Sequence, residues 1–87
     1  MRNLKLPNSG NLPNIKTWAI DDVRPRHNYP KQYSARMHQQ MRLTLRRYGQ
    51  FMPVIVDHKG FLIDGYLTWR ALKKLGFDKI LVVVSKS

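Results

Sequence analysis

The sequence of 87 residues contains no cysteine and no glutamate, and it carries little negative charge of any kind. Without cysteine the chain has no disulfide bond, no thiol nucleophile and no cysteine zinc site. Its five acids are all aspartates, against 16 lysines and arginines, which gives a formal net charge of +11. Few carboxylates are therefore left for catalysis or metal binding. The positive charge predicts a polyanionic partner, and nucleic acid is the leading candidate.

Long apolar runs are also missing. The longest, residues 80–84, is far too short to cross a bilayer, and the first residues lack the continuous apolar segment of a signal peptide. We therefore expect a cytoplasmic protein without a membrane span. No membrane is predicted as its partner, and an anionic membrane surface is the competitor of nucleic acid for the positive charge. The length fits one small domain, and a hydrophobic content of 43% is enough for a core.

Two segments predict irregular, basic structure. Residues 1–16 combine asparagine, proline and glycine with basic residues and no acid, which predicts an N-terminal arm before a single domain at residues 17–87. Residues 23–34 contain two prolines and an asparagine, which predicts a loop. That loop carries Arg24, Arg26 and Lys31, with His27 between them.

The remaining residues predict alternating strands and helices. The first helix has Ser34 as N-cap and Gly49 after its end, and a tight turn at residues 58–60 joins two strands. The predicted strands are residues 17–20, 53–57, 61–63 and 79–84, and the helices are residues 35–48 and about 65–75. A helix between two strands favours a partly parallel sheet, and the apolar last strand predicts burial on both faces. The predicted class is α+β, a small mixed sheet packed with two main helices.

Helical periodicity predicts a core face and a basic face for the first helix. The predicted core face consists of Met37, Met41, Leu45 and Tyr48. The opposite face consists of Arg36, Arg42, Arg46 and Arg47. Leu43 falls among these arginines, which a monomer core does not explain, so it indicates a contact with another chain or a second layer.

The second helix has the same two-sided pattern. Its predicted sheet-facing side consists of Leu67, Ala71, Leu72 and Leu75, with Thr68 among them. Its predicted exposed side consists of Tyr66, Trp69, Arg70 and Lys73, where aromatic rings would stack on bases and cations would meet phosphates. The alternative is that the arm or the 23–34 loop covers the two aromatic residues.

The stretch YGQFMPVIVDHKGFLIDGYLTWRALKKLGFDKILVVV, residues 48–84, resembles the N-terminal domain of ParB-type partition proteins, which share a fold with sulfiredoxin. The shared pattern is a helix that ends in glycine, a strand led by proline, a hairpin, an Ile-Asp-Gly corner, a helix that ends in Leu-Gly, and a valine-rich strand. Upstream, WAIDDVRPRHNYP resembles the opening strand and loop of that family. The resemblance covers residues 17–84.

The resemblance implies a nucleotide site at the corner. Members of the family bind DNA and use cytidine triphosphate, others are described as nucleases, and sulfiredoxins use a cysteine and ATP. In the partition-protein box GERRxRA, Gly65, Arg70 and Ala71 match, whereas the acid and two arginines are replaced. The sulfiredoxin chemistry is excluded because Tyr66, Leu67 and Thr68 occupy the last three positions of its Gly-Cys-His-Arg box. The implied phosphate-binding residues are Gly65, Tyr66, Thr68 and Arg70, with CTP or ATP and Mg²⁺ as the cofactors to test.

The sequence thus predicts a small nucleic-acid-binding protein whose leading ligand is DNA. Its predicted role is that of a catalytically degenerate accessory or regulatory factor of a plasmid, phage or chromosome. The predicted nucleic-acid contacts are Arg24, Arg26, Lys31, Arg36, Arg42, Arg46, Arg47, Trp69, Lys73 and Lys74. No metal site is predicted, because His27, His38 and His58 are read as ordinary solvated histidines.

Two alternatives stay open. One is a ParB-like nuclease or nucleotide hydrolase, for which Asp64 and His27 are the catalytic candidates, although Asp64 is better explained as a helix cap. The other is a protein-interaction module that docks on an acidic protein, and a homodimer is also left open.

Overall fold

The computed structural model describes residues 14–26 and 33–85. The predicted α+β class is confirmed, because this part of the chain forms a four-stranded mixed sheet with two main helices. The predicted arm up to residue 13 lies outside the described residues, and so do His27 and Lys31. The elements are β1 (Lys16–Ala19), a 3-10 turn (Ile20–Asp22), α1 (Ala35–Tyr48), β2 (Val54–Val56), β3 (Leu62–Asp64), α2 (Tyr66–Leu75) and β4 (Lys79–Val84).

The strand order in the sheet is β1-β4-β2-β3. The two central strands, β2 and β4, run parallel with Val54 opposite Val82, which confirms the expected parallel pairing. The hairpin of β2 and β3 and the pairing of β1 with β4 are antiparallel. In the described residues, no helix is both long and apolar enough for a transmembrane span.

One core cluster joins the inward side chains of the strands to both helices. Its largest fully buried side chains are Leu45 of α1, Leu72 of α2 and the strand residues Val54, Val56, Leu62, Ile80 and Val82. In β4 the residues between the buried ones, Leu81 and Val83, are only partly buried. The prediction that β4 is buried on both faces is therefore wrong, because the helices complete the core on one side of the sheet.

The predicted ends of α1 are confirmed. The Ser34 hydroxyl oxygen accepts a hydrogen bond from the Met37 N–H at 3.1 Å, and the Gly49 N–H donates to the Leu45 carbonyl at 2.8 Å. The predicted apolar face is only partly correct, because Leu45 is buried whereas Met37 is 42% and Tyr48 71% exposed. Those two side chains lie on the side of α1 that neither the sheet nor the core of α2 covers.

Candidate nucleic-acid interface

The corner between β3 and α2 depends on Gly65. Its φ is +102°, and a Cβ atom there would lie 2.7 Å from the Val54 Cγ1 atom. Gly65 is the N-cap of α2 and supplies no side-chain cap. The prediction that Asp64 is the helix cap is wrong in position, because the N-cap is Gly65. The Asp64 carboxylate accepts the Gly65 N–H at 2.9 Å. The N-terminal end of α2, with its helix dipole, favours an anion at this corner.

Replacing Gly65 with alanine is expected to destabilise the protein by about 2–4 kcal/mol, because strain at positive φ adds to overpacking against Val54. Gly76, after the other end of α2, is the matched control, since its φ is +91° and a Cβ there meets nothing within 4 Å. Alanine at Gly76 should cost only the strain, about 1 kcal/mol. Urea unfolding of both variants measures the difference, and equal costs would contradict the close packing at Gly65.

Trp69 does not lie on the surface as predicted. It is 6% exposed and belongs to the core cluster. Tyr66 is partly buried and stacks on Tyr33 with ring centroids 5.7 Å apart, and its ring lies 5.9 Å from that of Trp69. The predicted stacking surface on α2 is therefore wrong, and the alternative is supported, because Tyr33 comes from the end of the 23–34 loop. The physical reason is that α2 contacts both α1 and β2, so a wide arc of the helix is buried.

The box residues implied by the resemblance do not converge. The Thr68 hydroxyl faces the Met41 sulfur of α1 at 4.0 Å, while Arg70, two residues further on, is exposed. Two residues correspond to about 200° on a helix, so these two side chains lie on nearly opposite sides. What remains for an anion is the N-terminal end of α2 at Gly65 and the exposed guanidinium of Arg70.

The two helices together, called here the helix layer, contain basic residues and no acid. Neither helix therefore offers a carboxylate that could pair with these cations. Lys73 alone among them forms an ion pair in the described residues, with Asp21 at 3.2 Å. Six are exposed and Arg42 is partly buried. The cations of the helix layer are Arg36, Arg42, Arg46, Arg47, Arg70, Lys73 and Lys74. The structure thus places seven predicted nucleic-acid or phosphate contacts on two adjacent helices.

Arg24 and Arg26 have structural contacts at the β2–β3 hairpin. The Arg26 guanidinium donates to the Leu62 carbonyl at 3.2 Å and to the Asp57 carboxylate at 3.5 Å. The two guanidinium carbons lie 5.2 and 5.9 Å from the centre of the Phe61 ring. These contacts fasten the start of the loop to the hairpin, so Arg26 is less available for phosphate than predicted.

Asp57 holds the hairpin turn, as the sequence predicted. One carboxylate oxygen accepts the N–H groups of Lys59 and Phe61, both at 2.9 Å. The bond from Phe61 is the main cause that lowers the pKa of Asp57 below its usual 3.8, helped by the Lys59 bond and by the charges of Arg26 and His58, while burial opposes the shift. Asp57 is therefore ionised at neutral pH, and its stabilising contribution is lost only in acid below its ordinary pKa.

An open cleft of about 430 Å³ lies between the end of β1 and the hairpin. Its lining residues are Trp18, Asp21, Asp22, Arg24, His58, Lys59 and Gly60. Sequence reasoning missed this cleft, because it joins segments that lie far apart in the chain. Its charges are of both signs, and within residues 14–26 and 33–85 no three histidines or acids form a metal-binding group.

Comparisons with known proteins agree with this architecture. No family model matches the chain. The uncharacterized protein ORF326b of Acidianus two-tailed virus is 33% identical over 69 residues, which cover 78% of this chain and 21% of the viral protein. The chain thus spans about a fifth of the length of this curated relative.

Three solved structures superpose on most of the chain. A pNOB8-like ParB N-domain matches with a TM-score of 0.72 and 24% identity over 84% of this chain and 30% of that one. The C-terminally truncated chromosome-partitioning protein ParB of Caulobacter crescentus, complexed with CTP-γ-S, gives 0.75 and 15% over 85% and 45% of the two chains. Sulfiredoxin of Arabidopsis thaliana gives 0.75 and 18% over 86% and 88%. The chain therefore has the ParB/sulfiredoxin-like fold that its sequence resembles.

Proposed function

We propose that this protein binds nucleic acid through its helix layer, and that DNA is the leading candidate for that nucleic acid. The observation that carries the proposal is the absence of any acid from α1 and α2, which together hold seven cations. Arrays of one sign on adjacent elements repel each other in the free protein. A polyanion relieves that repulsion and releases its own counterions on binding.

Exposure makes these cations available. Arg36, Arg46 and Arg47 of α1 and Arg70 and Lys74 of α2 are exposed and form no ion pair in the described part of the chain. Such unpaired guanidinium and ammonium groups are the usual phosphate contacts of nucleic-acid-binding proteins. Because phosphate contacts carry no sequence information, this surface predicts affinity without strong sequence preference.

The comparisons support the same direction. One structural neighbour is a chromosome-partitioning protein, and the relative at 33% identity is viral. We therefore propose an accessory or regulatory DNA-binding factor of a virus or plasmid that acts in the cytoplasm. The corner at Gly65 lacks the acid and two arginines of the partition-protein box, which favours a non-catalytic role.

Fluorescence anisotropy with a labelled DNA duplex tests the proposal. With about four phosphate contacts, raising the salt from about 50 to about 200 mM should weaken binding roughly 150-fold. Single-stranded DNA and RNA of equal length show which nucleic acid is preferred. No detectable binding to any of them at the lowest salt would overturn the proposal.

A second candidate is nucleotide binding at the Gly65 corner. It is favoured by the CTP-γ-S in the Caulobacter neighbour and by the N-terminal end of α2, whose dipole attracts anions, with exposed Arg70 about one turn further on. The phosphates of CTP or ATP, bound with Mg²⁺, would lie at this end of the helix. Calorimetric titration of both nucleotides, with Arg70→Ala as the comparison, separates this candidate from binding of polymeric nucleic acid alone.

A further inference from the structure

A groove of about 320 Å³ opens between α1 and the start of α2. Its lining residues are Met37, Gln40, Met41, Thr44, Phe51 and Leu67. On α1 the stripe from Met37 through Met41 and Thr44 continues to Tyr48, which is 71% exposed. From Met37 to Tyr48 the helix rises by about 16 Å, or three helical turns. The groove and the stripe that extends it along α1 are together long enough to receive a short helix.

The apolar side chains at the groove are exposed on a fixed backbone. Phe51, which lines the groove, and its chain neighbour Met52 are both 64% exposed. Between them and α1, the Gln50 side-chain amide accepts from the Leu81 N–H at 2.8 Å and donates to the Leu81 and Met52 carbonyls at 3.0 and 2.9 Å. Gln50 thus ties this segment to β4. Large apolar side chains that a tethered segment holds in water mark an interaction surface.

Cations border the groove on both helices. On the wheel of α1, Arg36 and Arg47 lie just outside Gln40 and Thr44, and exposed Leu43 lies beside them. On α2, exposed Lys74 is seven residues after Leu67, two turns along the same side. The unexplained Leu43 among the arginines thereby becomes part of the border of the groove.

We propose that this groove binds the apolar face of an acidic amphipathic helix from a protein partner. Methionines adapt to varied apolar side chains, and a helix laid in such a groove is a recurring mode of recognition. The carboxylates of the partner would face Arg36, Arg47 and Lys74. This inference goes beyond nucleic-acid binding and does not depend on it.

Charge and chemistry argue against two other occupants. A second copy of this chain would bring another acid-free helix layer against the first, so like charges would meet. Nucleic acid would find phosphate contacts at the border, but half of the six lining residues carry thioether or aliphatic groups, and Phe51 is the one aromatic residue among the six for base stacking. An acidic helix satisfies both the apolar floor and the basic border.

Peptides of about 18 residues, long enough for five turns, test the proposal. The probe places leucines at i, i+3, i+4 and i+7 and glutamates elsewhere, and a scrambled peptide of the same composition lacks the stripe. We expect the probe to bind at least about tenfold more tightly than the scramble. Equal binding of both peptides would overturn the proposal, because charge alone would then explain the affinity.

Matched variants locate the site. Met37→Ser with Phe51→Ser, both exposed in the groove, should weaken the probe at least about tenfold. Ile63→Ser with Phe77→Ser, each residue 44% exposed and outside the groove, should leave affinity within about twofold. Thermal melts check that both variants fold. Unchanged probe affinity in the groove variant overturns the proposal. The proposal is also overturned if the wild type does not bind the probe and the groove variant loses binding of single-stranded DNA. It is likewise overturned if the wild type is a dimer that the groove variant dissociates.

Discussion

Replacing Trp69 with alanine is expected to lower the free energy of unfolding by about 3–5 kcal/mol. The side chain is 6% exposed and packs in the core cluster with residues of both helices and the sheet. Losing it leaves a cavity that a thin core cannot refill, and stability is about 0.05–0.15 kcal/mol per residue in domains of this kind. Urea denaturation followed by circular dichroism measures the change.

Two further variants make the result specific. Phe77→Ala removes an aromatic side chain that is 44% exposed, and it should change stability by no more than about 0.5 kcal/mol. Trp69→Phe should cost less than alanine, because the indole Nε1 has no hydrogen-bond acceptor among the described residues and only volume is lost. If Trp69→Ala were as stable as Phe77→Ala, the tryptophan would not be in the core.

The second large effect is on nucleic-acid affinity. Arg46→Glu combined with Arg70→Glu reverses one exposed cation on each helix. At about 100 mM salt the loss of one phosphate contact weakens binding roughly eightfold, so losing two should weaken it roughly 60-fold or more. Anisotropy of a labelled duplex measures the change.

The matched control makes the same charge change outside the helix layer. Lys16→Glu with Lys79→Glu alters two exposed residues of β1 and β4. Because nonspecific attraction depends on total charge, this control should weaken binding somewhat, but clearly less than the helix variant. Equal losses would mean that overall charge, and no particular face, determines binding.

Much of the fold follows from local sequence signals. Ser34 and Gly49 delimit α1 because capping depends on neighbours three or four residues away. Gly65 marks the corner because its backbone angle excludes other residues. The parallel pairing of β2 with β4 follows from a helix placed between strands.

The errors came from contacts between distant segments. Helical periodicity separates the sides of α2 but does not show how wide the buried arc is, so it predicts an exposed Trp69 that is in fact buried. It placed Met37 and Tyr48 on one face of α1 without showing that nothing in the core covers them. The Asp21–Lys73 and Gln50–Leu81 contacts span 52 and 31 residues, and no local pattern announces them.

The candidate site divides in the same way. The absence of acids from both helices is visible in the sequence, so the basic surface was predictable. The groove was not, because it needs the packing of α1 against α2 and the hydrogen bonds of Gln50. Leu43, an apolar residue among the arginines of α1, was the one local feature of the sequence that indicated a further contact there.

The most direct test of the account is the salt dependence of DNA binding by the wild type and by the Arg46→Glu, Arg70→Glu variant. Plotted as log K against log salt, the slope should be shallower in the variant by about 0.9 for each lost contact, or about 1.8 in total. An unchanged slope, with the Lys16→Glu, Lys79→Glu control showing the shallower one instead, would contradict the assignment of DNA binding to the helix layer.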